Sequence, residues 1–188
     1  MDLKESLEKD LTNLGFSWFQ IKQIKIGLEK GLNVSIYAKS EFNTDQMEQI
    51  RFGLEQNLDV SWYTKLEFDE YQMYEIRLGL EKKLDVSVYA KPEFNADQMY
   101  EIRVGIEKCL DVSIYLNSEF DYYQMEEIRS GLEKNLNVSL YARVEFDSNQ
   151  MHEIRLGLQK VLDVSFYLNP SIDYEEMRRI RLEMEGSK

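Results

Sequence analysis

FDEYQMYEIRLGLEKKLDVSVYAKPE, residues 68–93, decides the fold, because it returns with few changes every 26 residues. Phe42, Phe68, Phe94, Phe120 and Phe146 each open a copy of F-[DN]-x-x-Q-M-x-E-I-R-x-G-L-E-x-x-L-[DN]-V-S-x-Y. Phe16 opens a more diverged copy and Ile172 a truncated one, so seven units account for nearly all of the chain. A fixed period of this length signals a stacked array in which each unit buries its apolar face only against its neighbours. The expected fold class is all-α, a right-handed-type α-solenoid of about seven two-helix repeats, each a long helix followed by a short one. The expected organisation is an N-terminal helical cap over 1–15, six tandem repeats over 16–171, and a truncated capping repeat with a frayed tail over 172–188. Together these make one continuous domain.

With the Phe as position 1, position 2 is Asn43, Asp69, Asn95, Asp121, Asp147 or Asp173, and three residues on stands Gln46, Gln72, Gln98, Gln124, Gln150 or Glu176. That spacing is a capping box, in which the first side chain accepts from a free N–H of the first turn and the second returns to the cap's own N–H. The Phe and the Met at position 6 stand where a hydrophobic staple needs them. The long helix ends where Gly31, Asn57 and Asn135 can adopt a left-handed conformation. Lys83, Cys109 and Val161 share that place and adopt it less readily, which leaves the geometry of their corners open. The [DN]-V-S-x-Y corner again suits an N-cap, and Pro92 and Pro170 limit the second helix to one or two turns.

At about 100° per residue, positions 6, 9, 13 and 17 form one apolar stripe, as in Met73, Ile76, Leu80 and Leu84. The positions that vary between units, 3, 4, 7, 11 and 15, gather on the opposite face. Position 12 is glycine in six units, although a mid-helix Gly costs about 1 kcal/mol relative to Ala. Close approach by the recurrent Tyr of the corner or by a neighbouring helix offsets that cost. The Gln, Glu and Arg columns at positions 5, 8, 10 and 14 read as ladders that hold the stack in register, since groups present in every unit do not define a unique catalytic site. At the N-terminus Leu3, Leu7, Leu11 and Leu14 give the cap segment one apolar face, and Gly186-Ser187-Lys188 is expected to fray.

Composition excludes several classes. A formal charge of −12, from 23 basic against 35 acidic residues, repels phosphate backbones and speaks against direct nucleic-acid binding. The single cysteine, Cys109, allows no internal disulfide and fits a reducing compartment, and a cytoplasmic location is expected because the start carries no signal-peptide pattern. No apolar run is long enough for a membrane span. His152 is the lone histidine and reads as an ordinary exposed residue on the variable face. No catalytic residue, metal ligand set or cofactor-binding motif is found, so the chain is expected not to be an enzyme and to use no cofactor.

The tyrosines rise above scaffold. Six of the twelve, Tyr37, Tyr63, Tyr89, Tyr115, Tyr141 and Tyr167, occupy the corner column and are expected in the core. The others, Tyr71, Tyr74, Tyr100, Tyr122, Tyr123 and Tyr174, fall at positions 3, 4 or 7 of the variable face, where Trp18 and Phe19 also stand. These eight are the candidate protein-binding residues, since binding hot spots enrich large rigid aromatic side chains with a polar tip. Interleaved with Asp45, Glu48, Glu70, Asp97 and Glu126 they form an acidic strip whose complement is a protein with a basic surface. The competing reading is that the rings only stack between adjacent first turns, and the mostly apolar position 11 adds packing between repeats.

The segment Q-M-x-E-I-R-x-G-L-E-x-x-L-D-V-S-x-Y-A, as in Gln72 to Ala90, resembles a tandem helical repeat of proteins from gut bacteria and their phages and mobile elements. The resemblance covers residues 16–182 and implies a bacterial or phage origin and an interaction role, with no functional residues to map. Two functions follow as expectations: a non-enzymatic protein-binding scaffold, or an anti-CRISPR-like inhibitor whose acidic surface mimics nucleic acid and blocks a bacterial defence system. A structural spacer is the third and weakest.

Overall fold

The structure is a computed structural model that describes residues 3–187, with side chains described from Ser6 onward. Every regular element among these residues is helical: α1 (Leu3–Asn13), α2 (Trp18–Glu29), α3 (Thr44–Glu55), α4 (Glu70–Glu81), α5 (Ala96–Glu107), α6 (Tyr122–Glu133), α7 (Ser148–Gln159) and α8 (Tyr174–Gly186). From α2 onward the connections each hold one three-residue 3₁₀ helix, Val34–Ile36 being the first and Val164–Phe166 the last. The fold is all-α, and within each of its two compact units helices pack in the repeated manner of an α-solenoid. The chain divides into two compact units, Met1–Ala96 and Asp97–Lys188.

The second helix of each repeat is thus a single 3₁₀ turn. In the corner Asp85-Val86-Ser87, the Asp85 carboxylate accepts from the Ser87 N–H at 3.1 Å and from its hydroxyl at 2.5 Å, which bends the chain within two residues. Tyr89 N–H then bonds Val86 C=O at 3.1 Å, and the Tyr89 backbone at φ −127° stops the turn. Asn33 and Asn137 make no such backbone cap, and instead accept from the hydroxyls of Ser35 and Ser139.

In the first unit the long helices start as the sequence predicts. Asn43 and Asp69 accept from the N–H groups of Gln46 and Gln72, and those glutamines return to the cap N–H. Ser17 and Gln20 form a third box that the Phe-led pattern does not single out. Each Gln does more than cap: Gln46 Nε2 donates to the Phe68 carbonyl at 2.7 Å and Gln72 Nε2 to the Phe94 carbonyl at 2.7 Å. A start signal within one repeat is therefore also a bracket onto the next. Phe42, Phe68, Met47 and Met73 are fully enclosed, where the staple puts them.

The glycine column is explained by tyrosine. The Tyr89 hydroxyl donates to the Glu75 carbonyl of α4 at 3.2 Å, and it does so through the space left by Gly79. A Cβ on Gly79 would overlap that hydroxyl and stand 2.9 Å from Val86 Cγ1. Burial raises the ionisation of the Tyr37 hydroxyl to about 12, so these groups stay neutral donors. The same glycine also ends the helix: Leu84 N–H bonds Gly79 C=O at 2.9 Å and Lys83 N–H bonds Leu80 C=O at 3.0 Å, a Schellman motif with Lys83 left-handed at φ 59°.

The second unit repeats the plan. Gln124 Nε2 reaches the Phe146 carbonyl at 2.6 Å, and Tyr141 Oη reaches the Glu127 carbonyl at 3.2 Å. Its corners at Cys109, Asn135 and Val161 take φ of 56°, 55° and 55°, so residue type does not change the corner. Val161, 83% exposed, is held left-handed against its β-branched preference.

Arginine supplies the register. Arg51 Nε donates to Gln23 Oε1 at 2.8 Å and Arg77 Nε to Gln49 Oε1 at 3.0 Å, each reaching back one repeat. In the second unit the acceptors are carboxylates: Arg129 Nε meets Glu101 at 2.5 Å, Arg155 meets Glu127 at 2.6 Å and Arg181 meets Glu153 at 2.7 Å. The guanidinium also pairs along its own helix, Arg51 with Glu55, Arg77 with Glu81 and Arg129 with Glu133.

Several expectations need correction. Positions 13 and 17 are only half-buried at Leu80 and Leu84, while Gln72, Arg77 and Gly79 are buried, because a helix with a neighbour on each side buries a wider arc than one stripe. Leu14 of the cap is 67% exposed, Leu7 and Leu11 are half-buried, and the Leu3 side chain lies outside the described residues. At Asp173 the box is half made, since Glu176 is held by Arg179 at 2.5 Å instead of returning to the cap. Helix α8 continues through Gly186 with Ser187 as its cap, where fraying is expected, and Lys188 lies outside the described residues.

Three outcomes are expected. Gly79→Ala should lower stability by about 1–3 kcal/mol despite its better helix propensity, and Tyr89→Phe in the same chain should recover part of that loss; additive costs in thermal melts would refute the Tyr–Gly contact. Val161→Asn should raise stability by about 1 kcal/mol by relieving the left-handed strain, seen as a higher Tm. For Glu55 and Glu133, burial raises the pKa, but hydrogen bonds from Lys30 and Arg51, and from Lys108 and Arg129, outweigh it and leave each below the ordinary 4.5. A depressed carboxylate contributes stability above the unfolded value and loses it as pH falls through the folded one, so Glu55→Gln with Glu133→Gln should flatten the fall of Tm below about pH 5.

Candidate protein-binding face

The capping turns aim positions 3, 4 and 7 of each long helix away from the buried Met and Ile. Trp18, Phe19, Tyr71, Tyr74, Tyr100, Tyr123 and Tyr174 are all exposed, Tyr71 most of the tyrosines at 67%, and Tyr122 is half-buried. Among the described residues the close ring pairs lie within single helices: Trp18 edge-on to Phe19 at 5.1 Å, and Tyr122 tilted against Tyr123 at 4.2 Å.

In the first unit the strip folds into a groove. Tyr71 and Tyr74 of α4 line a cleft of about 330 Å³ with Glu70, and with Asp45, Glu48 and Gln49 of α3. Asn43 Nδ2 holds Glu70 at 3.1 Å, and Arg51 stands 3.3 Å from Glu48. Arg77 lies 5.3 Å from the Tyr74 ring centre and backs one of its faces. Phe52, at position 11, sits between Arg51 at 4.5 Å and Arg77 at 5.5 Å, so that column packs between repeats as expected.

In the second unit Tyr100 is backed by Arg103 at 5.4 Å, and the Tyr174 hydroxyl bonds Glu175 at 3.4 Å. Desolvation first, then the charges of Glu126, Tyr123, Glu101 and Asp97, raise the pKa of the Tyr122 hydroxyl, so acidic groups surround it. His152 departs from expectation: it is half-buried, with Nδ1 3.0 Å from Glu127 and 3.1 Å from Arg155, and so joins the Arg–Glu ladder.

Two apolar grooves escape the sequence reading. In the first unit Ile36, Leu54, Leu58 and Val60 floor one of about 690 Å³, with Lys39 and Lys65 beside them. In the second, Phe166, Ile180 and Met184 line one of about 550 Å³ at α8. The signal was available in the corner residue before the Tyr, which is Ile36, Trp62, Val88, Ile114, Leu140 or Phe166 and is apolar in every unit.

No group of three or more acidic, His or Cys side chains among the described residues could hold a metal ion, and no helix there is long and apolar enough to cross a membrane. Comparison with protein families, with curated proteins and with solved structures returns no match for this chain.

Proposed function

We propose that this chain is a non-enzymatic helical-repeat scaffold of bacterial or phage origin that binds a protein with a basic surface through its acidic, tyrosine-rich face. One observation carries the reading. The residues that recur in every unit are spent on caps, brackets, corners and ladders, whereas the rings of the variable face stay exposed even where Arg77 and Arg103 back Tyr74 and Tyr100. Among the described residues, the hydroxyls of Tyr71, Tyr74, Tyr100 and Tyr123 have no hydrogen-bond partner. Large aromatic area offered to solvent beside carboxylates suits a partner that brings cations and apolar contact together.

The test is affinity capture from bacterial lysate, comparing wild type with a Tyr74→Ala, Tyr100→Ala, Tyr123→Ala variant of unchanged helicity and melting. A partner retained by wild type and lost by the variant is expected, with only modest weakening between about 50 and 200 mM salt. Identical capture profiles would remove the face as a binding site. A steep loss of affinity over that salt range would instead favour the nucleic-acid mimic that inhibits a defence system.

A further inference from the structure

The cleft between α3 and α4 has a composition that selects one kind of side chain. Its six lining residues include three carboxylates and two tyrosines and no cation, and of the carboxylates only Glu48 has an arginine near it among the described residues, Arg51 at 3.3 Å. Among the described residues the Asp45 carboxylate has no hydrogen-bond or ion-pair partner, and the Tyr71 ring has neither a second ring nor a cation against it. Glu70 is held in place by Asn43 at 3.1 Å, which leaves its remaining acceptor capacity free. At about 330 Å³ the cleft lies at the small end of ligand pockets, room for one long side chain and not for a secondary-structure element.

The fold already displays how it pairs a cation with such walls. Arg51 lies 4.5 Å from the centre of the Phe52 ring while bonded to Glu55, and Arg77 lies 5.3 Å from that of Tyr74 while bonded to Glu81. A planar guanidinium does this better than an ammonium, because its faces are weakly hydrated and stack on a ring while its N–H fork meets carboxylates. The same register in the second unit, Asp97, Tyr100, Tyr122, Tyr123 and Glu126, is acidic too, but there Tyr122 and Tyr123 cover each other at 4.2 Å and Glu101 is taken by Arg129 at 2.5 Å. Among the described residues the α3–α4 cleft has no such ring-to-ring cover.

Resting on the reading that this face binds a basic protein, we propose that the α3–α4 cleft seats one arginine side chain of that partner, its guanidinium stacked on Tyr71 and bridging Asp45 and Glu70. The partner segment is an extended basic peptide, since only a stem and a head group fit the space.

The experiment is a heteronuclear NMR titration of the full chain with acetyl-Gly-Arg-Gly-Arg-Gly-amide, and with its lysine and citrulline counterparts. Saturable shifts should concentrate on the first turns of α3 and α4, with lysine at least about threefold weaker and neutral citrulline without effect. Tyr71→Leu, which leaves every charge in place, should weaken the arginine peptide at least about fivefold, while Val144→Ala, an exposed apolar substitution outside the candidate face, should not change it. The free-state spectrum of each variant reports its folding directly. Shifts spread over the whole acidic surface, equal affinity for arginine and lysine, or indifference to Tyr71→Leu would each overturn the cleft. If the capture partner is still lost on substituting Tyr74, Tyr100 and Tyr123, the face stands and only the cleft falls. If arginine binds as described while capture is unchanged, the cleft stands and the broader face falls.

Discussion

The rest of the fold depends on the residue at position 8 of the long helix, whose two acceptors serve two different repeats. In Glu127 the backbone carbonyl takes the Tyr141 hydroxyl of its own corner at 3.2 Å, while the carboxylate takes Arg155 of the following helix at 2.6 Å. Gln49 does the same in the first unit, with Tyr63 at 3.3 Å and Arg77 at 3.0 Å. The first bond requires a neighbour without a side chain, hence the glycine four residues on; the second requires an acceptor of fixed height, hence Gln or Glu. A polar group removed from water must be satisfied or it costs more than it contributes. Where both acceptors at position 8 are filled, as at Gln49 and Glu127, the corner and the next repeat are fixed by the same residue; at Glu153 the carboxylate takes Arg181, while the buried Tyr167 hydroxyl of that corner has no partner among the described residues.

This arrangement explains why the corners ignore residue type. Val161 is a poor left-handed residue, yet its φ of 55° matches that of Asn135, a good one. The Tyr–Gly contact fixes where the helix stops and the Gln bracket fixes where the next one starts, so the chain between them has one path. The strain at a single corner is about 1–2 kcal/mol, less than the cost of losing either anchor. Local preference is overruled wherever both ends of a segment are pinned by non-local contacts.

The same logic separates what could be read in the sequence from what could not. Capping boxes were legible because both partners lie within four residues, and even Ser17–Gln20 could have been found by dropping the requirement for a leading Asn or Asp. The glycine column was legible as a close approach, since six helix-weakening residues at one position need a common cause. The buried arc was misjudged because a helical stripe assumes one neighbouring surface, and a stacked helix has two. His152 was misread because its anchor, Glu127, is 25 residues away. The candidate face was legible only as a set of positions; that Tyr71 and Tyr74 share a cleft with Asp45 and Glu70, while Tyr122 and Tyr123 cover each other, depends on side-chain rotamers that no periodicity encodes.

Each unit divides its side chains between those that build the stack and those that face solvent. Because position 8, the glycine, the Tyr and the Gln bracket absorb most of the structural demands of each unit, positions 3 and 4 can change with little effect on the stack, while position 7 also touches the ladder, as His152 does at Glu127. Position 7 nonetheless varies widely, holding Glu48, Tyr74, Tyr100, Glu126, His152 and Arg178 in successive units on equivalent helices. Exposed aromatic rings there cost solubility, and the ladder arginines behind Tyr74 and Tyr100 still leave both rings open to solvent. The Tyr71 ring, 67% exposed, and the exposed Asp45 carboxylate lie outside the brackets, corners and ladders that hold the stack, so the packing within the unit does not fix what stands at either position.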